Sequence, residues 1–376
     1  RERLRQAVGM INRSERPIIL CGHGVIAGRA SAALRIFAER AHIPVAFTLH
    51  GLSALPMDHA LSLGMVGMHG TVEANRALLN ADLILSFGMR FDDRVTGNLD
   101  VFGVNAQVIH VEIDPSEIDK NVKTSVAINA ETGEVLTLLA RDPELTFKPR
   151  QRWFEQIDRY RREIAAAIQQ EVAGGVGREG QLLMKTVVSE LSRLTQGKDI
   201  VVADVGQHQM ISARFYNFQT VNSWFTSGGA GTMGCALPMA VGVKLARPDE
   251  QVWAISGDGG FQMNIQELGA IMEHDINVKI LLMNNGYLGM VRQWQELFYD
   301  KNYASTPLST SPDFVKLAEA YGALGLRATK PGEVAPTIKK ALASKKPVLI
   351  DFVVDPEEGV YPMVPAGASI DNMILL

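Results

Sequence analysis

Asp258 and Asn285 are the residues of this chain whose types and spacing best suit a divalent cation. Asp258 lies in Gly257-Asp258-Gly259 and Asn285 in Asn284-Asn285, with 24 residues between the two motifs. Each follows an apolar run that reads as a buried strand, Val252-Trp253-Ala254-Ile255-Ser256 and Val278-Lys279-Ile280-Leu281-Leu282-Met283. Met263 to Glu273, between them, reads as a helix. A strand–helix–strand unit of this kind crosses over right-handed and leaves its strands parallel. If the strands are neighbours, a carboxylate and a carboxamide oxygen emerge together at the carboxyl edge of the sheet, where open α/β sheets bind ligands. Such hard donors suit Mg²⁺, which takes much of its octahedral shell from substrate phosphates. Gly259 and Gly260 let backbone N–H groups approach a phosphate, and a following helix would aim its positive end at it. Either motif alone is more often an ordinary turn. Both together, after two strands, point to the metal.

The rest of the chain has to position that edge. A length of 376 residues, with 47% hydrophobic and 21% charged residues, suggests two or three domains and ample core. A net charge of −4 gives no electrostatic basis for binding nucleic acid or an anionic membrane. No apolar run approaches the length of a membrane span. Cys21 and Cys235 sit in apolar, Gly-rich contexts and read as buried thiols of a reducing compartment. The expected setting is the cytoplasm of a bacterium, or a plastid or mitochondrion in a eukaryote. Arg1-Glu2-Arg3-Leu4 reads as the first turn of an amphipathic helix and suggests a start at an internal domain boundary.

The expected class is α/β, with two doubly wound parallel-sheet domains. Residues 1–147 alternate strands (Pro17 to Cys21, Pro44 to Thr48, Leu83 to Phe87, Val108 to Ile113) with helices (Ala30 to Ala41, Val72 to Asn80). Residues 148–180 read as a charged helical linker ending in Gly174-Gly175-Val176-Gly177. Residues 181–376 read as the second α/β domain, with a C-terminal arm or lid from Glu357 to Leu376. In it, the strand Val201 to Val205 ends at Gly206-Gln207-His208. A Gly-rich run from Ser227 to Gly234 precedes a helix of small residues.

The paired GDG and NN motifs resemble the thiamine diphosphate (ThDP) motif of the decarboxylase and carboligase superfamily. That resemblance implies Asp258 and Asn285 as side-chain Mg²⁺ ligands and the backbone carbonyl of Tyr287 as a third. It implies that Gly206, Gln207 and His208 contact the diphosphate. Gly231, Gly257, Gly259, Gly260, Leu288, Gly289 and Met290 line the same pocket, and Met233 wedges the two cofactor rings into a V. Met233 by itself would more often be core, and His208 a cap or core histidine.

Four segments narrow the resemblance: Gly88-Met89-Arg90-Phe91-Asp92-Asp93-Arg94-Val95-Thr96-Gly97, Leu63 to Gly70, Val205 to Met210 and Tyr361-Pro362-Met363-Val364-Pro365. They are similar to the catalytic (large) subunits of the acetohydroxyacid synthase (acetolactate synthase) family, over essentially the whole chain. That family binds FAD in the first domain. The resemblance places Thr48, Leu49, Gly67, Met68, His69, Gly88, Arg90, Phe91, Asp92 and Glu112 at the flavin. Gly22-x-Gly24, after a strand, permits the close backbone approach a dinucleotide needs, and Glu112 at a strand end could bond a ribose hydroxyl.

The implied reaction joins pyruvate to a second 2-ketoacid, pyruvate or 2-ketobutyrate, with loss of CO₂, as the first common step of branched-chain amino-acid biosynthesis. Arg94 is the candidate for the second ketoacid's carboxylate, with an ion pair to Asp92 or Asp93 as its competing role. Trp294, with Met290 nearby, is the candidate wall for the acceptor's alkyl group, with a core or interface role as its competitor. The family implies a homodimer or homotetramer, and a separate small regulatory subunit. Its activating glutamate lies in an N-terminal domain, so this chain reads as the flavin and diphosphate domains of a three-domain enzyme. Alone it is expected to be nearly inactive. The alternatives are another ThDP carboligase or oxidase, or a non-catalytic cofactor-binding fragment.

Overall fold

The computed structural model describes residues 1–174, 177 and 180–375. The chain divides into two compact units, Arg1–Ile168 with Tyr361–Leu376, and Gln169–Val360. Each is built on a six-stranded parallel sheet, as the alternation of strands and helices predicts.

The first sheet comprises β1 (Pro17–Cys21), β2 (Val45–Phe47), β3 (Ser62–Met65), β4 (Leu83–Phe87), β5 (Gln107–Glu112) and β6 (Val126–Asn129), in the order β3-β2-β1-β4-β5-β6. β1 and β4 are buried along their whole length. Such continuous apolar strands belong to a parallel sheet covered by helices on both faces. β3 (Ser-Leu-Gly-Met) and β6 (Val-Ala-Ile-Asn) were not named in the sequence reading.

The second sheet comprises β7 (Ile200–Ala203), β8 (Trp224–Thr226), β9 (Val252–Gly257), β10 (Lys279–Asn284), β11 (Leu324–Ala328) and β12 (Val348–Val353), in the order β11-β12-β10-β9-β7-β8. Its core gathers Ile200, Val202, Leu237, Ala254, Phe261, Leu268, Ile280, Leu282, Phe314 and Leu349. Each large aliphatic side chain buried there contributes about 1.5–3 kcal/mol.

Two expectations about the elements are corrected. No single helix runs from Met263 to Glu273. A five-residue helix, Asp258–Gln262, starts directly at the GDG motif, and a second runs over Glu267–Glu273. Between them Asn264 donates its amide to the Gly234 carbonyl at 2.7 Å, competing with helical continuation. The C-terminal arm, from Tyr361 onward, groups with the first unit rather than with the second. Its apolar residues require a core: Val364 and Ile370 are buried with Leu63, Val66 and Met89. The Val364 amide donates to the Met68 carbonyl at 2.8 Å.

The expected linker is helical over Gln151–Gly174. It begins as part of the first unit, with Trp153 and Ile157 in that core and the Trp153 indole donating to the Pro17 carbonyl at 3.0 Å. Gly175 and Val176, read as its Gly-rich end, lie outside the described residues.

Candidate functional site

β9 and β10 are direct neighbours, with Leu282 opposite Ser256 and Met283 opposite Gly257. Asp258 and Asn285 therefore leave the same carboxyl edge side by side. Asn284 turns aside and donates to the Asp351 carboxylate at 3.0 Å, so of the two asparagines only Asn285 serves the site. Gly286, at φ +68°, makes the turn and donates its N–H to Asp258 Oδ2 at 3.0 Å. A side chain at Gly286 would be strained by that backbone, and the residue escaped the sequence reading. The Tyr287 N–H donates to Asn285 Oδ1 at 3.1 Å. Tyr287 is bridged to Pro307 through the neighbouring Gly286 carbonyl and Leu288 N–H, without use of its own carbonyl.

The second oxygen of Asp258, Oδ1, is buried with no hydrogen-bond partner. Burial holds the Asp258 carboxyl up at about 6. A buried, partnerless carboxylate oxygen is costly unless something positive meets it. A cation between Asp258 and Asn285 meets that need, so the donor set fits Mg²⁺. Among the described residues no group of three or more His, Cys, Asp or Glu forms a metal cluster. One carboxylate with neutral oxygens matches an ion that draws the rest of its shell from phosphate and water.

The chain order reverses between β7 and β9: β8 lies on one side of β7 and β9 on the other. Such a switch point opens a crevice at the carboxyl edge. The loops after both strands meet there around His208. Its ring lies 2.7 Å from where a Cβ would stand on Gly206 and 3.1 Å from one on Gly257. His208 is buried, its Nε2 has no partner, and burial pulls its pKa down to about 4, so the ring is neutral at pH 7.

Asp204, which sequence reasoning passed over as a strand end, ties the crevice together. Its Oδ1 accepts the N–H groups of Val205 and Gly234, both at 2.8 Å, and Oδ2 accepts the Ser256 hydroxyl at 2.7 Å. Gly260 has no room for a Cβ, which would stand 2.5 Å from Asp204 Oδ2. Over Gly259 converge Leu288, Leu308 and, 4.0 Å from where a Cβ would stand, the Met233 methyl. Met233 is half-buried at this spot, and Leu308 was not anticipated. Gly231, at φ +63°, is exposed with open space around it.

The helix Gly289–Phe298 follows directly on the loop that carries Asn285, Gly286 and Tyr287. Met290 and Trp294 line an apolar cavity of about 640 Å³ with Val291, Tyr299, Asn302 and Ala304. Trp294 is half-buried and meets Phe298 edge to face at 5.3 Å. Trp294 is thus one of several side chains that line this cavity.

In the first unit, the order β3-β2-β1-β4 places the switch between β1 and β4. Gly22, Gly24 and Gly88 meet there. The Gly22 N–H donates to Phe87 at 2.9 Å and the Gly24 N–H to Gly88 at 3.0 Å, and a Cβ on Gly22 would fall 2.1 Å from the Gly88 carbonyl. Thr48 caps the turn that holds Leu49, accepting the Gly51 N–H at 3.1 Å. Gly67, at φ +107°, is held by the Asn75 amide from both sides at 2.8 and 2.9 Å, and the Met68 N–H donates to the Arg94 carbonyl at 2.8 Å. Asn75 was not foreseen, because its partner lies in a loop eight residues earlier. His69 is buried.

Four expected residues have other engagements. Phe91 turns its ring into the core against Phe102 and His110, so only its backbone can border a ligand. Glu112 already accepts the N–H groups of Ile113 and Asp114, at 2.8 and 3.1 Å. Arg90 pairs with Asp92 at 3.0 Å. Arg94 pairs with Asp93 at 2.9 Å on the surface, the competing role foreseen for it.

Residues 4–139 match the family described as thiamine pyrophosphate enzyme, central domain, and residues 204–352 match its C-terminal TPP binding domain. The chain is 44% identical over 372 residues to an acetolactate synthase large subunit of Corynebacterium glutamicum, covering 97% of this chain and 59% of that protein. It is 41% identical over 377 residues to one of Haemophilus influenzae, covering 99% and 65%. A probable acetolactate synthase large subunit of Methanocaldococcus jannaschii is 42% identical over 374 residues, covering 99% and 63%. The chain spans about three fifths of the length of these relatives. With both family domains matched, the chain belongs to the thiamine pyrophosphate enzymes, among the homologues of acetolactate synthase large subunits.

Proposed function

We propose that this chain serves an acetolactate synthase that condenses pyruvate with pyruvate or 2-ketobutyrate, releasing CO₂, in branched-chain amino-acid biosynthesis. The observation that carries this reading is the buried, partnerless Oδ1 of Asp258 beside Asn285, at the sheet edge of the matched TPP binding domain. Asp258, Asn285 and the Tyr287 carbonyl would hold Mg²⁺. Gly206, Gln207, neutral His208 and the tight glycines Gly257, Gly259 and Gly260 would receive the diphosphate. Met233 and Leu288 would support the rings. When bound, ThDP supplies the carbon nucleophile and the electron sink for loss of CO₂; the protein contributes orientation and a water-poor pocket.

The Met290–Trp294 face would take the acceptor's alkyl group. Arg94 is proposed for the acceptor's carboxylate, which requires it to exchange its surface partner Asp93 for substrate. The first unit is proposed to bind FAD at the β1–β4 switch, where the glycines admit a close backbone approach. The family flavin is largely structural rather than an electron carrier. A homodimer or homotetramer is proposed, with a separate small subunit as the regulatory partner and no nucleic-acid or membrane partner. Among the described residues no helix is long and apolar enough to cross a membrane.

Two measurements test the reading. The chain supplied with the family's N-terminal domain should form acetolactate from pyruvate with Mg²⁺ and ThDP, without phosphate-dependent acetyl phosphate. Acetyl phosphate as the main product would assign it to the oxidases instead. Flavin absorbance in the purified protein tests the FAD site. Trp294→Leu should lower the preference for 2-ketobutyrate over pyruvate about tenfold, since a lost methylene contact is worth roughly 1–3 kcal/mol. Competition between the two acceptors measures it, and an unchanged product ratio removes Trp294 from the pocket.

A further inference from the structure

Behind the proposed cation site lies a buried chain of side-chain amides. Gln293, on the same helix as Trp294 but 2% exposed, accepts the Val360 N–H through Oε1 at 2.9 Å and donates through Nε2 to the Val360 carbonyl at 3.1 Å. Backbone groups have fixed polarity, so this two-point contact decides which end of the Gln293 amide is oxygen. That oxygen also faces Gln207, whose Nε2 donates to it at 3.1 Å and to the Glu358 carbonyl at 2.8 Å. Gln207 Oε1 is thereby turned to Asn285 and accepts its Nδ2 at 3.3 Å. The polarity then propagates one step further. With its NH₂ held by Gln207, Asn285 has its oxygen on the other side, next to the Tyr287 N–H. Gly289 leaves the space for this contact: a Cβ there would stand 2.0 Å from Gln207 Oε1 and 2.7 Å from Asn285 Nδ2.

We propose that Gln293 is a positioning residue for the cation: together with the Glu358 carbonyl it orients Gln207, which acts with the Tyr287 N–H to hold the Asn285 carboxamide with oxygen, not NH₂, toward the metal. The proposal rests on the reading of Asp258 and Asn285 as the Mg²⁺ site. An asparagine turned the wrong way presents two N–H donors to the ion and is no ligand. Gln293 touches neither metal nor substrate in this role.

The test is Mg²⁺ titration of ThDP binding, read by calorimetry and by quenching of tryptophan fluorescence in the intact chain. Gln293→Met keeps length and volume but removes the acceptor for Gln207. It should weaken Mg²⁺ about 10- to 100-fold, the usual effect of losing a partner that orients a ligand. Saturating Mg²⁺ should restore ThDP affinity to within about threefold, a rescue that a general packing defect does not give. Gln293→Glu retains an acceptor oxygen for Val360 and Gln207 and should hold Mg²⁺ more tightly than the Met variant. If Gln293→Met does not fold, Gly289→Ala breaks the same Asn285–Gln207 contact and must show the same Mg²⁺ shift. A folded Gln293→Met variant with an unchanged Mg²⁺ midpoint overturns the proposal. If Asp258→Ala abolishes the titration in parallel, only the positioning role falls. If Asp258→Ala also leaves it unchanged, the cation site itself falls, and the proposal with it.

Discussion

Replacing Asp258 with alanine should abolish Mg²⁺-dependent ThDP binding while leaving the metal-free fold as stable as the parent, or more so. The first effect is the loss of the one carboxylate at the proposed site, and should exceed 100-fold in ThDP affinity. The second follows from burial. The Asp258 carboxyl stands at about 6, above its ordinary value of 3.8, because the charged form is desolvated. A carboxylate raised in the folded state contributes stability only where it is protonated. That contribution is complete below the unfolded value, near 3.8, and is lost as pH rises through about 6. At pH 7 the ionised group costs the metal-free protein about 3 kcal/mol. Mg²⁺ removes this cost, so binding should weaken as pH falls below 6 and protons compete for the same oxygens. Calorimetric titration of ThDP with Mg²⁺ at pH 5.5 and 7.5, with thermal melts of both proteins without ligand, checks each part. Unchanged ThDP affinity in the variant would remove Asp258 from the site.

Asp204→Ala should cost the second unit on the order of 4 kcal/mol, since three donors, two of them buried, lose one acceptor residue at a stroke. Those donors are the N–H groups of Val205 and Gly234 and the Ser256 hydroxyl. They come from three segments that meet at the crevice, so ThDP affinity should fall with stability. Asp204→Asn keeps an acceptor for both N–H groups, and the Ser256 hydroxyl can turn to accept from the new NH₂. It should cost about 1 kcal/mol. Urea unfolding of the two variants measures the gap. Equal losses would show that charge rather than hydrogen-bond count matters at Asp204.

These two carboxylates also show what a sequence discloses. Asp258 was legible because its chemistry is local: an apolar strand, a glycine on each side, and a matching motif after the next strand. Asp204 follows a strand too, but its partners stand 1, 30 and 52 residues away, and no local pattern marks them. Asn75 and Gln293 were overlooked for the same reason, as polar residues inside otherwise ordinary helices. Phe91 shows the converse limit. Its motif was recognised, but its positive φ of 51° and core-facing ring depend on Phe102 and His110, contacts that no motif encodes. Several of the strands that were read, β1, β2, β7 and β9 among them, carry largely apolar runs. β3, β6, β8, β11 and β12 were not read; a glycine interrupts the apolar run in β3 and β11, and Asp351 does so in β12.

The return of residues 361–376 to the first unit bears on how the gene can be cut. The first unit is discontinuous, with the whole second unit inserted between its two stretches of sequence. A fragment ending at Ile168 would lack Val364 and Ile370 and leave raw apolar surface where they sit. Splicing the last 16 residues back through a short glycine–serine bridge should give the better-behaved recombinant piece, and the second unit could then be excised as one uninterrupted cassette.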